Sequence, residues 1–426
     1  MNKEEKRIIF LSSVGGMLEF YDFTIYGLFS VYFAEQFFPS HNNLTAIISS
    51  YAVFSVGYIV RPLGGILFSH IGDEIGRKTV MVVTMLLMGF ASLGLGLLPT
   101  YASIGFWAPT LILLLRLVQG LAIGGELPSM IVYIAESLPK QRGIAIGALL
   151  VGTVGGLIPG MSINFLITHY LTHSQIYNYG WRIPFILGSF LCFFGYQIRN
   201  KLHETAVFNN LKKRVSFPLG ELLRNHLSNV FIGFGLVSMT APLIVLGVIF
   251  MPTYLTNILK LNPTHASNSI FFITVLYVPV IYAMGLLSHR FSPYVLMRNF
   301  TLLLIVGSAA FYFMLFQGHN LTLTLVIFAL FSGLPICLPS ILISYLFPPQ
   351  IRLSGVALSY NLANAFFGGL TPTVVTSMIK WTHMPYTAPF LWVLFIACIA
   401  LFSLACCRKY LDFTVKQTNF RGITQL

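Results

Sequence analysis

Between Leu115 and Gly143 the chain reads Leu-Arg116-Leu-Val-Gln119-Gly120-Leu-Ala-Ile-Gly124-Gly125-Glu126, continues through apolar residues to Glu136, and ends Lys140-Gln141-Arg142-Gly143. A charged side chain at the centre of a bilayer costs about 2.5–3.5 kcal/mol on insertion scales, so polar groups in so apolar a run need a reason. On a helix, Gln119 and Glu126 lie about 20° apart and Arg116 about 60° from Gln119. This polar stripe must face something other than lipid. A second stripe lies near the start of the chain, where Gly15, Glu19, Asp22 and Tyr26 share one helical face. Glu19 sits about 17 Å into its helix, near the middle of a bilayer. Burial favours the neutral form of a carboxyl group and a neighbouring arginine favours the charged form, so a carboxylate between the two can load and release a proton. Glu19, Asp22 and Arg116 are the first candidates for that chemistry. Glu126 is the next, either as a proton relay or as an ion-pair partner of Arg61. A static buried pair that only fixes helix packing is the alternative for each.

The elements that position these groups are membrane spans. Of 426 residues 56% are apolar and 9% charged, and the mean hydropathy is +0.81. A soluble domain carries roughly 25% charged residues. Spans of about 20–25 residues are expected near 8–33, 45–71, 79–99, 106–137, 143–171, 181–202, 227–256, 264–288, 294–316, 320–347, 353–379 and 386–408. The first apolar run follows Lys3, Lys6 and Arg7 like a signal peptide, but it holds Glu19 and Asp22 and has no small-residue cleavage site, so it reads as a retained helix. With both termini cytoplasmic, 20 of the 25 Lys and Arg residues fall in inner loops and tails; Lys260, Lys380 and Arg182 stay outside, and Arg61 and Arg116 lie within spans. The net charge of +13 is therefore the basic bias of cytoplasmic loops, and no nucleic-acid partner is expected. Six of the ten histidines (His41, His169, His173, His265, His319, His383) fall in outer loops, where surface polarity accounts for them. Cys192, Cys337, Cys398, Cys406 and Cys407 show neither metal-ligand nor disulfide spacing. No nucleophile–base pair or metal motif is visible, so an enzyme is not expected, and neither is a metal or cofactor beyond the proton.

The chain also repeats itself. Pro139-Lys-Gln-Arg142-Gly143-Ile-Ala145 follows the fourth span, and Pro349-Gln-Ile-Arg352-Leu-Ser-Gly355-Val-Ala357 follows the tenth. Tandem repeats of this kind build secondary transporters. The expected architecture is all-α, with twelve transmembrane helices in two six-helix pseudo-symmetric halves: a bundle over 1–202, a cytoplasmic linker over 203–224, a bundle over 225–408 and a short cytoplasmic tail over 409–426.

These residues give the chain a family likeness. It resembles the major facilitator superfamily and, within it, the metabolite:proton symporters, the porters of proline/betaine, 2-oxoglutarate, citrate, shikimate and related small acids. The likeness rests on Gly16-Met-Leu-Glu19-Phe-Tyr21-Asp22-Phe23 with Tyr26-Gly27, Arg61-Pro62-Leu-Gly64-Gly65, Gly72-Asp73-Glu74-Ile-Gly76-Arg77-Lys78, the Arg116–Gly143 stretch, Gly180-Trp181-Arg182-Ile-Pro184-Phe185, and Arg352-Leu-Ser-Gly355 followed by Tyr360-Asn361, Gly368-Gly369 and Pro372. It covers nearly the whole chain. Three places depart from the pattern. Glu74 stands where the loop after the second span usually has arginine, Leu287-Ser288-His289-Arg290-Phe-Ser-Pro293 has lost an aspartate and a glycine, and Ala206 replaces the proline after Glu204-Thr205.

The resemblance implies proton-coupled import of a small polar metabolite, with the two halves rocking about a midplane site. A transporter-like sensor that binds its ligand without net transport is the alternative. It also implies a cytoplasmic charge latch of Asp73, Gly76, Arg77, Lys78, Glu136, Arg142 and Arg352. Solute contacts are expected from Tyr21, Tyr26, Gln119, Tyr360, Asn361 and Asn364. Asn361 and Asn364 share one helical face, and interhelical hydrogen bonding is the competing role for each. No acidic residue occurs between Glu221 and Asp412, so any carboxylate proton carrier belongs to the first half. Fixed positive charge in the cavity is sparse, mainly Arg116 with Arg61 or Arg182, which favours a zwitterion or a mono- or dicarboxylate. Glycines 147, 152, 155, 156 and 160 are expected to let helices approach closely. The partners expected are the solute and the lipid bilayer, with the chain acting as a monomer in a bacterial inner membrane.

Overall fold

The computed structural model describes residues 3–38, 43–211, 215 and 217–423, and every regular element among them is a helix. In chain order the membrane-length helices are α1 (Lys3–Phe37), α2 (Asn43–Ile59 continued by Arg61–Glu74), α3 (Arg77–Leu97), α4 (Trp107–Ser137), α5 (Arg142–Gly155 continued by Leu157–Tyr170) and α6 (Arg182–Asn200). They are followed by α7 (Leu227–Ile258), α8 (Pro263–Arg290), α9 (Pro293–Phe316), α10 (Leu321–Ile343), α11 (Arg352–Thr382) and α12 (Thr387–Ile423). These are the twelve expected spans. α12 runs on through most of the segment read as a tail.

Several helices break where the sequence removes a backbone donor. A proline has no N–H and cannot close the turn to the carbonyl four residues back. Pro62 follows the break in α2 at Val60, and Pro159 follows the Gly155-Gly156 break in α5. α11 widens into a π-turn over Asn364–Gly368, just ahead of Pro372. α10 is interrupted between Gly333 and Leu338, around Pro335.

By contacts the chain divides into two units, Met1–Tyr133 with Leu149–Thr205, and Ile134–Ala148 with Ala206–Leu426. The end of α4 and the start of α5 thus belong with the second unit. In the first unit α1 packs on α2, α5 and α6, and α3 lies along α6. Glycines set the closest approaches. Gly64 lies on the Leu121 carbonyl and Gly124 on that of Arg61, joining α2 to α4; Gly152 lies on the Ser13 carbonyl and Gly156 on that of Met17, joining α5 to α1. Of the other α5 glycines, Gly147 meets Gly285 of α8 within the second unit, Gly160 makes only ordinary contacts near 3.8 Å, and Gly155 faces open space. Close approach therefore accounts for three of the five.

The second unit repeats the pairing of the first: α7 packs on α11 and α12, α9 on α12, and α8 on α10. An aromatic core fixes one end of α1. Tyr26, Phe29, Phe33 and Phe37 are buried with Trp181 and Phe185, most of the rings meeting edge to face with centroids 5.1–6.4 Å apart. Arg182 donates to the Gly96 and Leu98 carbonyls at 3.0 and 2.8 Å, closing the end of α3.

Candidate functional site

Asp22 lies at the centre of a buried chain of polar groups from three helices. Its Oδ2 accepts a hydrogen bond from Gln119 Nε2 of α4 at 2.8 Å, and its Oδ1 accepts one from the Ser92 hydroxyl of α3. Gln119 Nε2 also donates to Ser92 Oγ at 2.9 Å, and Arg116 Nη1 donates to Gln119 Oε1 at 2.7 Å. The Arg116 guanidinium lies 4.3 Å from the centre of the Tyr26 ring, a cation–π contact that suits a charge held away from water. All four polar side chains are fully buried. Gly188 of α6 leaves the room beside Asp22, since a Cβ there would stand 2.8 Å from Oδ1. Gln119 thus couples a carboxylate to an arginine, one end of its amide serving each.

Glu19, one turn away on α1, has a different setting. It is buried and neither carboxyl oxygen has a hydrogen-bond partner. Glu126, Arg61 and Arg199 stand near enough to act on its charge. Glu126, read from the sequence as either a proton relay or an ion-pair partner of Arg61, pairs with Arg199 of α6. Arg61 instead lies 4.3 Å over the Tyr58 ring. Arg199 also donates to the Met81 carbonyl at 3.1 Å. The expected grouping of Glu19 with Asp22 and Arg116 is thus split into two clusters. The two carboxylates are three residues apart, about 60° around the helix, enough to aim them at different neighbours.

The residues expected at the latch also form two groups. In the first unit Asp73 and Arg77 pair at 3.3 Å, both buried, and Arg77 donates to the Gly72 carbonyl at 3.1 Å. Gly76 starts α3 with φ 133°, a conformation that side chains other than glycine's resist. Lys78 donates from its backbone N–H to Glu204 at 3.0 Å and from Nζ to the Asn200 carbonyl at 2.8 Å. In the second unit Glu136 and Arg352 pair at 3.0 Å. Arg142 donates to the Ala135 carbonyl at 3.0 Å and lies 3.9 Å over the Tyr345 ring.

Among the expected solute contacts, Gln119 and Tyr26 belong to the Asp22 cluster. Tyr21 is fully buried, and its hydroxyl donates to the Pro184 carbonyl at 2.9 Å. In the second unit Asn361 and Asn364 each donate to a carbonyl of their own helix, Ala357 at 2.9 Å and Tyr360 at 2.8 Å. Asn364 opens the π-turn of α11, and Tyr360 is buried one turn before it.

Ser92 and Arg199 are the site residues that sequence reasoning missed. A lone serine in an apolar helix carries no signal. Arg199 did carry one: it lies 17 residues past Arg182, about 26 Å along the helix, still within the ~30 Å hydrocarbon thickness, so it was not an ordinary loop charge.

Comparison with known proteins now bears on these clusters. A family model described as Major Facilitator Superfamily matches residues 12–372. A putative proline/betaine transporter of Staphylococcus aureus (strain COL) is 31% identical over 400 residues, covering 90% of this chain and 84% of that protein. The glycine betaine/proline/ectoine/pipecolic acid transporter OusA of Dickeya dadantii is 30% identical over 423 residues, covering 93% and 82%. Among solved structures, the proton:xylose symporter XylE bound to 6-bromo-6-deoxy-D-glucose superposes with a TM-score of 0.78 at 15% identity, covering 95% of each chain. FucP in the outward conformation gives 0.68 at 15% identity, covering 93% and 99%.

Proposed function

From the premise that the chain belongs to the major facilitator superfamily and is a multi-pass secondary transporter of small solutes, we propose that it imports a small zwitterion by proton symport. Asp22 is the coupling carboxyl in this reading, and rocking of the two halves gives alternating access. The observation that carries it is the buried chain Asp22–Gln119–Arg116 with Ser92. A proton bound at Asp22 removes the negative charge that Gln119 links to Arg116. Arg116 is then able to accept the carboxylate of a solute, so proton and solute bind together. Loss of the proton restores the internal partner and expels the anionic end.

The relatives' names supply the solute class, since proline, glycine betaine, ectoine and pipecolic acid all join a carboxylate to a cationic nitrogen. No acidic residue lies between Glu221 and Asp412 to meet that nitrogen, so aromatic faces are assigned the task. The Asp73–Arg77 and Glu136–Arg352 pairs are assigned to a cytoplasmic latch, with both termini cytoplasmic.

Proteoliposomes under an inward proton gradient test this, with proline, glycine betaine, ectoine, pipecolate, 2-oxoglutarate, citrate and shikimate as the panel. Protonophore-sensitive accumulation of one of the zwitterions, abolished by Asp22→Asn, is expected. Full accumulation by Asp22→Asn would refute the coupling role, and binding without accumulation would mark a sensor.

A further inference from the structure

Glu19 is left over by the coupling site above, and its surroundings are unusual. Taking a carboxyl group into an apolar interior with no hydrogen bond costs several kcal/mol when it is neutral and far more when it is ionised. Both oxygens of the buried Glu19 side chain are in that position. The neutral acid is the form such a pocket holds. Beside it, Glu126 is an ionised acid in a direct pair with Arg199.

The Arg199 head group is placed to serve either acid. It lies against Gly15, one turn from Glu19 on the same face of α1, so closely that a Cβ at Gly15 would collide with its terminal nitrogen. Its other terminal nitrogen carries the bond to Glu126. The remaining bonds are ones a guanidinium can give up without stranding a charge, to the Met81 carbonyl and, at 3.1 Å, to Met130 Sδ. The titratable and charged groups acting on Glu19 are Glu126 from α4, Arg61 from α2, and Arg199 and Cys192 from α6. Of these, Glu126 is the acid paired with Arg199, the arginine that lies against Gly15 one turn from Glu19.

We propose that Glu19 and Glu126 share one proton and compete for Arg199, forming a proton relay distinct from the Asp22 cluster. In one state Glu19 carries the proton and Arg199 bonds Glu126. In the other the proton has passed to a Glu126 oxygen, the Arg199–Glu126 bond has broken, and Arg199 bonds the Glu19 carboxylate. The trio's net charge is zero in both states, so the exchange moves a proton between α1 and α4 without leaving an uncompensated ion in the bundle. The relay rests on proton coupling as proposed above only for its direction, from Asp22 toward the cytoplasmic end of α4.

Glu19→Gln tests the relay because it mimics the neutral acid and holds Arg199 on Glu126. Two measurements apply, both in proteoliposomes with proline or glycine betaine. The first compares gradient-driven accumulation with counterflow, an exchange that needs no net proton movement. Glu19→Gln is expected to lose accumulation and keep counterflow. A role confined to packing would depress both together, and unchanged accumulation would overturn the relay. The second is infrared spectroscopy of the carboxyl C=O stretch as a function of pH, which reads protonation whether or not the protein transports. A protonated-carboxyl band present in the wild type and in Asp22→Asn, absent in Glu19→Gln, and titrating at a different pH in Arg199→Lys is expected. A band unaffected by Glu19→Gln would overturn the proposal. Wild-type uptake that ignores protonophores would instead refute the symport reading, leaving the Glu19 band to decide the site on its own.

Discussion

Glu136 supplies the carboxylate for two arginines. Among the second-unit residues whose side chains are described, Glu136 and Glu221 are the only acids, and Glu221 bonds Asn225 elsewhere. Glu136 pairs with Arg352 at 3.0 Å, with its own side chain at 0% exposure and that of Arg352 at 14%. Its charge also acts on Arg142. At that separation and an effective dielectric of about 20, two unit charges attract by roughly 5–6 kcal/mol, much of which offsets desolvation. Removing one member of a buried pair costs about 3–5 kcal/mol, and a glutamine oxygen accepting from Arg352 would restore about 1 kcal/mol of that. Glu136→Gln is therefore expected to destabilise the protein by about 2–4 kcal/mol. Arg352→Met should cost less, because Glu136 keeps Arg142 nearby. The assay is reversible unfolding in mixed micelles of wild type, both single variants and the double variant. The double variant should be more stable than the sum of the single losses implies, by about 2 kcal/mol. A coupling energy under about 0.5 kcal/mol, the level at which independent sites simply add, would refute the claim that this pair holds the second unit together.

Two further predictions concern the backbone. Gly152→Leu would drive a side chain into the Ser13 carbonyl of α1 and is expected to cost upward of about 1–3 kcal/mol, read as lost thermal stability in detergent. Gly155→Ala, facing open space, should be neutral or stabilising by up to about 1 kcal/mol; equal losses in the two would refute the packing account. Gly76→Ala places a Cβ on a backbone with φ 133° and is expected to cost about 1–3 kcal/mol, with solute selectivity unchanged. A shift in selectivity would mean that the loop does more than turn the chain.

The fold was legible because a bilayer demands long apolar runs, and because basic residues and the Pro139 and Pro349 repeats punctuate them. The Asp22 cluster was partly legible. A polar stripe on α4 and another on α1 named Asp22, Gln119 and Arg116 as groups turned away from lipid, and the structure joins them. What periodicity could not supply was the neighbour. It gives the direction a side chain leaves its own helix and says nothing of which helix lies there. Arg61 was therefore the one ion-pair partner weighed for Glu126, whose partner is Arg199 on α6. Ser92 was invisible for a related reason, since its role depends wholly on α3 passing beside Asp22. The placing of 134–148 with the second unit was hidden too, because it follows contacts and not chain order.

The distribution of acids narrows the mechanism further. On the proposed reading a proton has to be held by a carboxyl, and from Glu221 to Asp412 there is none. The carriers proposed are therefore Asp22 and Glu19 of α1 and Glu126 of α4, while α7 and α10 contain no charged residue. Glu136 is the one acid that α4 contributes to the second unit. Glu136 lies on the same helix as Arg116, Gln119 and Glu126. On this reading α4 carries members of the coupling site and of the relay before Pro128 and a member of the latch after it.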